Sequence, residues 1–165
     1  MKSLVTLLLA FFSLPLFAGE IPALPTRVEA HVLRLAPGED PKLVLEAYVR
    51  KHNLRAASVA SAVGSVTKIT LRYANEPKGT VLEGFREIVS LSGTISNSNT
   101  HLHASVSDRT GETRGGHLLE GSKVYTTLEI VLLAFPDVEF ARKKDPTYGH
   151  DELSVEVSKP TPPTR

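Results

Sequence analysis

Only one stretch of this chain, Asp40 to Asn53, repeats its apolar residues at helical spacing, and that scarcity constrains the fold more than any other feature. Asp40 is a strong N-cap, Pro41 suits the first helical position, and Leu43, Val44, Leu45, Ala47 and Tyr48 supply the apolar stripe. Lys51-His52-Asn53 closes the segment with positive charge near the carbonyl end. A parallel sheet needs a crossover between successive strands, usually a helix, so one helix cannot support it. The remaining segments must pair antiparallel.

Those segments read as strands. Arg27 to Leu35 alternates, with Val28, Ala30 and Val32 on one face. Ala56 to Val63 is small and apolar, and Gly64 punctuates it. Val66 to Tyr73 sends Thr67, Ile69, Leu71 and Tyr73 one way and Lys68, Thr70 and Arg72 the other. After a turn at Asn75–Gly79, Glu87 to Ser96 is β-rich, with Gly93 marking a bulge or close approach. Thr100 to Ser107 aims Leu102, Ala104 and Val106 at the core, Thr113 to Leu119 returns, and Lys123 to Phe135 is long and β-branched. Val138 to Arg142 and Leu153 to Val157 add short edge strands. The expectation is an α+β fold: an antiparallel sheet of about seven strands with one main flanking helix.

The ends read differently. Met1-Lys-Ser3 is a positive start, Leu4 to Phe17 an apolar run broken by Pro15, and Leu16-Phe-Ala18 a small-residue cleavage site. Residues 1–18 are therefore expected to be a secretory signal peptide, and the protein periplasmic or secreted, with no membrane anchor after cleavage. Residues 19–26 form a proline-punctuated leader, 27–157 one domain, and 158–165 a polar, proline-rich, disordered tail. The chain has no cysteine, so no disulfide and no lipidated cysteine is available. Cleavage would remove Lys2 and leave 18 basic and 18 acidic residues. That balance lacks the positive footprint of a nucleic-acid binder, so no nucleic-acid partner is expected. The basic run Arg142-Lys-Lys144 reads as a solvated turn.

Three histidines carry the chemistry: His101 and His103 in one strand, and His117 in the next. Alternation puts His101 and His103 on one face. If Asp108-Arg-Thr-Gly-Glu112 is a hairpin with a three-residue loop and Gly111 left-handed, His103 lies opposite His117. Three imidazoles sharing a face suit a divalent metal, zinc foremost, with a fourth position for water or another ligand. A two-residue loop, Arg109-Thr110, would instead pair His103 with Gly116 and turn His117 away. Both registers are open to the sequence.

Other residues carry weaker signals. Glu129 interrupts an apolar strand, so it either orients a metal-bound histidine, faces a subunit interface, or points outward. Glu87 is a lesser equivalent, and Arg114 is either a solvated strand residue or an interface contact. His31, His52 and His150 read as ordinary strand, helix-end and turn residues. There is no Gly-x-Ser-x-Gly elbow and no cysteine nucleophile, so catalysis would have to use water on the metal. The expected class is a binding or assembly module, with a metal-dependent hydrolase or lyase as the alternative.

Several motifs occur in a familiar order: Leu35-Ala-Pro-Gly-Glu-Asp40, Val63-Gly-Ser-Val66, Gly84-Phe-Arg-Glu-Ile-Val-Ser-Leu-Ser-Gly-Thr-Ile95, His101-Leu-His103, Gly115-Gly-His117 and Thr126-Thr-Leu-Glu-Ile-Val131. Across Arg27 to Val157 the chain resembles the PPC (plants and prokaryotes conserved) domain, a domain of unknown function. The resemblance implies a homotrimer of α+β subunits and matches His101, His103 and His117 to metal-associated histidines of the prokaryotic members. Two departures stand out. Arg86 occupies the position of an aromatic before the glutamate, with Phe85 beside it, and no AT-hook Arg-Gly-Arg-Pro core is present. The chromatin role of plant members is therefore not expected here.

Overall fold

A computed structural model describes residues 24–158. The expected signal peptide, most of the expected leader and all but Ser158 of the expected tail lie outside the described residues. The elements are β1 (Glu29–Leu35), α1 (Pro41–Lys51), β2 (Ala57–Arg72), β3 (Thr80–Ile95), β4 (Thr100–Ser107), β5 (Thr113–Leu118), β6 (Lys123–Ala134), β7 (Val138–Lys144) and β8 (Asp151–Val157). Six strands form one antiparallel sheet in the order β1-β6-β2-β3-β4-β5, and β7 pairs with β8 as a separate hairpin. The expected α+β architecture is present.

The helix begins as its sequence dictates. Asp40 Oδ1 accepts the backbone N–H groups of Lys42 and Leu43 at 2.9 and 3.3 Å. Its Oδ2 accepts those of Gly121 and Ser122 at 2.7 and 3.0 Å, which ties the helix start to the β5–β6 turn. One carboxylate thus satisfies four donors that would otherwise lack partners. Leu45 and Val49 are fully buried, whereas Leu43, expected in the apolar stripe, is exposed. The stripe is rotated toward Val49 because Pro41, Leu45 and Val49 lie one turn apart on the covered face.

Strand lengths differ from expectation. The chain passes through Gly64 without a break, so Ala56–Val63 and Val66–Tyr73 are parts of the single 16-residue β2. β3 likewise starts at Thr80, before the expected Glu87. Long strands allow β2 to serve several partners: β6 and β3 along its length, and β5 at its end through Leu71↔Leu118 and Arg72↔His117. β2, β3, β4 and β5 therefore close on themselves. On β1 the half-buried positions are His31 and Leu33, with Leu35 fully buried, while Val32 is 79% exposed. The covered face of β1 is thus the one opposite Val28, Ala30 and Val32.

Two glycines make the closure possible. A Cβ on Gly93, whose φ is +135°, would stand 2.0 Å from the carbonyl oxygen of His101. A Cβ on Gly116 would stand 2.6 Å from the carbonyl oxygen of Arg72. Both distances are impossible for real side chains, so these positions let β4 press onto β3 and β5 onto β2. The core beneath contains Ile69, Leu71, Leu91, Ile95, Leu102 and Val106, joined by Leu128, Ile130 and Leu132 of β6.

Candidate metal centre

The β4–β5 hairpin sets the site. Asp108 N donates to the carbonyl of Glu112 at 3.0 Å, and Gly111 N donates back to the carbonyl of Asp108 at 2.9 Å. Gly111 has φ +84°, the left-handed conformation that a three-residue loop demands. Asp108 Oδ1 accepts from Thr110 N, Thr110 Oγ1 and Glu112 N at 2.9, 2.6 and 3.1 Å. These hydrogen bonds push the Asp108 carboxyl pKa down from its ordinary value, which favours the charged, accepting form. The register that follows is Ser107↔Thr113 through His103↔His117. The two-residue loop is not adopted.

Leu102, Ala104 and Val106 are buried, so alternation sends His101 and His103 to the outer face. His117 joins them across the pair. The three ligand-capable nitrogens lie within 4.8 Å of one another, and His103 Nε2 is 3.2 Å from His117 Nδ1. Ring centroids are 5.1 Å apart for His101–His103 and His101–His117, and 4.3 Å for His103–His117. His101 and His103 are exposed and His117 is half-buried. Burial, then the positive charge of Arg142, pushes the His101 imidazolium pKa down, with Glu152 opposing. Burial, then Arg72, pushes His117 down as well. Both rings therefore favour the neutral, ligating form.

This donor set fits a divalent cation. Tetrahedral zinc with Zn–N distances near 2.0–2.1 Å separates neighbouring ligand atoms by about 3.3 Å. The His103–His117 nitrogen separation already has that value. The same pair forms a hydrogen bond when one ring carries its proton between them, so cation and proton compete for one space.

The structure does not bring the other candidates to the triad. Glu129 is exposed on β6 opposite Arg34 and Val63, and β2 and β3 intervene before β4, a lateral separation of about 14 Å. Glu87 opposes Ser107, about 13 Å along β4 from His103. Arg114 alternates to the opposite face from His117 and is paired with Glu112 at 2.7 Å. Arg86 is largely covered and reaches Asp108 at 4.0 Å, while Phe85 stays outside against Tyr125, ring centroids 4.6 Å apart.

Three other residues do reach the histidines. Arg72 opposes His117, and Thr94, opposite His101, accepts from Arg142 Nη2 at 3.4 Å. Arg142 is no turn residue: it lies on β7, half-buried, while its neighbour Lys143 is exposed and pairs with Glu156 at 2.8 Å. Alternation along a strand separates the two side chains, which the basic run concealed. An open cleft of about 730 Å³ is lined by His101, His117, Arg72, Arg142, His150 and Glu152, among others. Elsewhere, His31 Nδ1 lies 2.9 Å from Tyr48 Oη, and the Tyr48 and His52 rings, tilted by 35°, have centroids 4.3 Å apart. That second aromatic cluster joins β1 to α1, an association invisible in the sequence order.

The model of the Plants and Prokaryotes Conserved (PCC, also written PPC) domain matches residues 25–136. The chain belongs to this family. Among similar proteins, the bifunctional protein GlmU of Synechococcus sp. (strain JA-3-3Ab) is 43% identical over 149 residues, 89% of this chain. The chain spans about a quarter of that relative's length (24%). A hypothetical protein from Salmonella cholerae-suis superposes with TM-score 0.79 at 39% identity, over 81% of this chain and 96% of that one. The metal-containing protein AF0104 of Archaeoglobus fulgidus gives TM-score 0.68 at 25% identity, over 81% and 99% of the two chains. A Bacteroides thetaiotaomicron structure described as a putative DNA-binding protein shares the fold at 21% identity, and AT-hook motif nuclear-localized protein 13 of Arabidopsis thaliana is 35% identical over 112 residues. The matched residues end before β7, so the hairpin carrying Arg142 and Glu152 lies outside them.

Proposed function

We propose that this PCC-domain chain is an exported homotrimeric binding or assembly module built around a divalent cation, zinc foremost, held by His101, His103 and His117. The observation that carries the reading is the convergence of three imidazoles with a nitrogen–nitrogen distance of 3.2 Å, the edge of a tetrahedral zinc site. The description of the Archaeoglobus relative as metal-containing supports it. A bound cation would supply a fixed positive charge and Lewis acidity; the three histidines hold it and the sheet fixes their spacing.

Self-association is supported by the outer face of the sheet, where Val32, Val63, Phe85 and Val89 are exposed together with Tyr125. Isolated exposed apolar residues are ordinary, but a contiguous set on neighbouring strands favours an interface. Export rests on the signal-like sequence of Met1 to Ala18. A net charge of only +1 argues against nucleic acid as the partner, and salt-sensitive retention of DNA by the protein would reverse that reading.

Elemental analysis combined with solution mass tests cation and trimer together. About one metal per chain in a particle of three chains is expected, and the metal should vanish from the triple alanine variant. A metal-free native protein of unchanged stability would overturn the assignment. The exposure of His101 and His103 favours one second reading, a hydrolase or lyase using water on the cation, because a fourth coordination position would face the cleft. Metal-dependent turnover abolished by His103→Ala would select it.

A further inference from the structure

We infer that the cleft beside the histidine triad is an oxyanion site, in which Arg72 and Arg142 hold a carboxylate or phosphate group of a small ligand against the cation. The inference rests on the metal reading above and deepens it.

The argument begins with what the two arginines do not have. Arg72 Nη1 donates to the backbone carbonyl of Glu76 at 3.3 Å. Arg142 Nη1 donates to the backbone carbonyl of Asp151 at 3.3 Å, and Nη2 to Thr94 Oγ1 at 3.4 Å. All three bonds are long, and all three acceptors are neutral. Neither guanidinium belongs to an ion pair among the described residues, whereas Arg27, Arg55, Arg86 and Arg114 each do. Lys42, also on this cleft, is already committed to Glu46 and Glu120 at 2.7 and 3.2 Å. Arginine is the residue of choice where a planar fork must meet carboxylate or phosphate, and both of these forks are half-buried with most of their donors unfilled.

Charge supplies the second line. Arg72 opposes His117 across the β2–β5 pair, and Arg142 donates to Thr94, the residue opposite His101. A divalent cation on the histidines would feel the repulsion of both guanidiniums. Three acidic residues, Glu76, Asp151 and Glu152, line the cleft as well. A dication and two guanidiniums facing three carboxylates still leave a net positive charge. An external oxyanion would offset it, with Arg72 and Arg142 of the same cleft to hold it beside the cation.

The cleft has the right dimensions. About 730 Å³ accommodates a metabolite-sized molecule, and its wall combines β2, β4 and β5 of the sheet with the β7–β8 hairpin. Because Arg142 comes from that hairpin, the anion would bridge two parts of the chain that the Arg142–Thr94 hydrogen bond at 3.4 Å also joins.

The test uses the full chain loaded with Co²⁺, whose visible bands report the coordination sphere. Inorganic phosphate and acetate are titrated separately, with calorimetry alongside. Saturable band shifts are expected, and the tighter of the two anions identifies the oxyanion chemistry. Arg142→Gln and Arg72→Gln should each weaken that anion about ten- to a hundredfold while Co²⁺ stoichiometry stays unchanged. Arg142→Lys, which keeps the charge and loses the fork, should recover part of the affinity. Lys143→Gln, on the opposite face of β7, should change nothing. Failure to bind Co²⁺ would overturn the metal reading itself. Cobalt binding with no response to either anion, or a response indifferent to both arginines, would overturn only the oxyanion site.

Discussion

Two hairpins meet at this site, and they are held in place by different physics. The β4–β5 hairpin is locally specified: Asp108 caps its own loop through three hydrogen bonds, Gly111 adopts the left-handed turn, and the register brings His103 opposite His117. The β7–β8 hairpin is specified by distant contacts. Phe140 N donates to the carbonyl of Arg55 at 3.0 Å, Val138 is buried at 3% exposure, and Asp137 at its base is paired with Arg27 across 110 positions. A ligand set built on the first kind of hairpin is preorganised; one completed by the second depends on docking. The comparison implies that the histidines form the rigid half of the centre and Arg142 the adjustable half.

Breaking the rigid half should have the largest effect. His103→Ala removes the central ligand, so bound metal should fall from about one per chain to none by elemental analysis. At a metal concentration a thousandfold above Kd, the stabilisation lost is about 4 kcal/mol. Gly93→Ala should come next. Its new Cβ would meet the carbonyl oxygen of His101 at 2.0 Å, forcing β4 away from β3, and denaturant unfolding should show about 3 kcal/mol of destabilisation with weakened metal binding.

Loosening the adjustable half should cost less and leave the metal in place. Val138→Ala deletes two buried methyl carbons beneath β7, worth about 1.5 kcal/mol, and should raise hydrogen exchange in β7 and β8 without changing metal stoichiometry. Gly111→Ala strains the β4–β5 loop by about 1 kcal/mol, and should weaken the metal more than Val138→Ala does, despite its smaller effect on stability. That inversion is the sharpest test of the comparison.

The smallest effect concerns protons. With no metal added, the depressed His101 and His117 values mean that the unfolded chain binds more protons than the folded one just below the ordinary histidine pKa of 6.5. Stability should therefore rise with pH through that window and level off above it. Arg142 and Arg72 steepen the slope and Glu152 reduces it, so Arg142→Gln should flatten the curve measured by thermal unfolding.

Much of the fold was legible because its signals are local. Asp40 before Pro41 announced the helix, Gly93 announced the close approach of β4, and Leu102, Ala104 and Val106 announced the buried face that leaves His101 and His103 outside. What misled was punctuation and composition. Gly64 suggested a strand break, yet it permits β2 to run on past β6, its Cβ position lying 2.2 Å from the carbonyl oxygen of Thr127. Arg142-Lys-Lys144 suggested a solvated turn, yet strand alternation splits the run between the cleft and the surface. Glu129, a carboxylate in an apolar strand, is exposed on the outer face with β2 and β3 between it and β4, which agrees with the outward-facing reading and leaves the interface reading open while removing it from the histidines.

By itself the sequence determined the helix, the antiparallel class and two admissible registers for the histidine hairpin, because capping, alternation and turn chemistry act over a few residues. The hydrogen bonds of the Asp108–Glu112 loop chose between those registers, and tertiary structure closed β5 onto β2, which places Arg72 opposite His117. It also laid β7–β8 over the triad with Arg142 against Thr94. Those outcomes depend on contacts between residues tens of positions apart, whose strength comes from burial and close approach, and no local pattern encodes which distant strand will supply the partner.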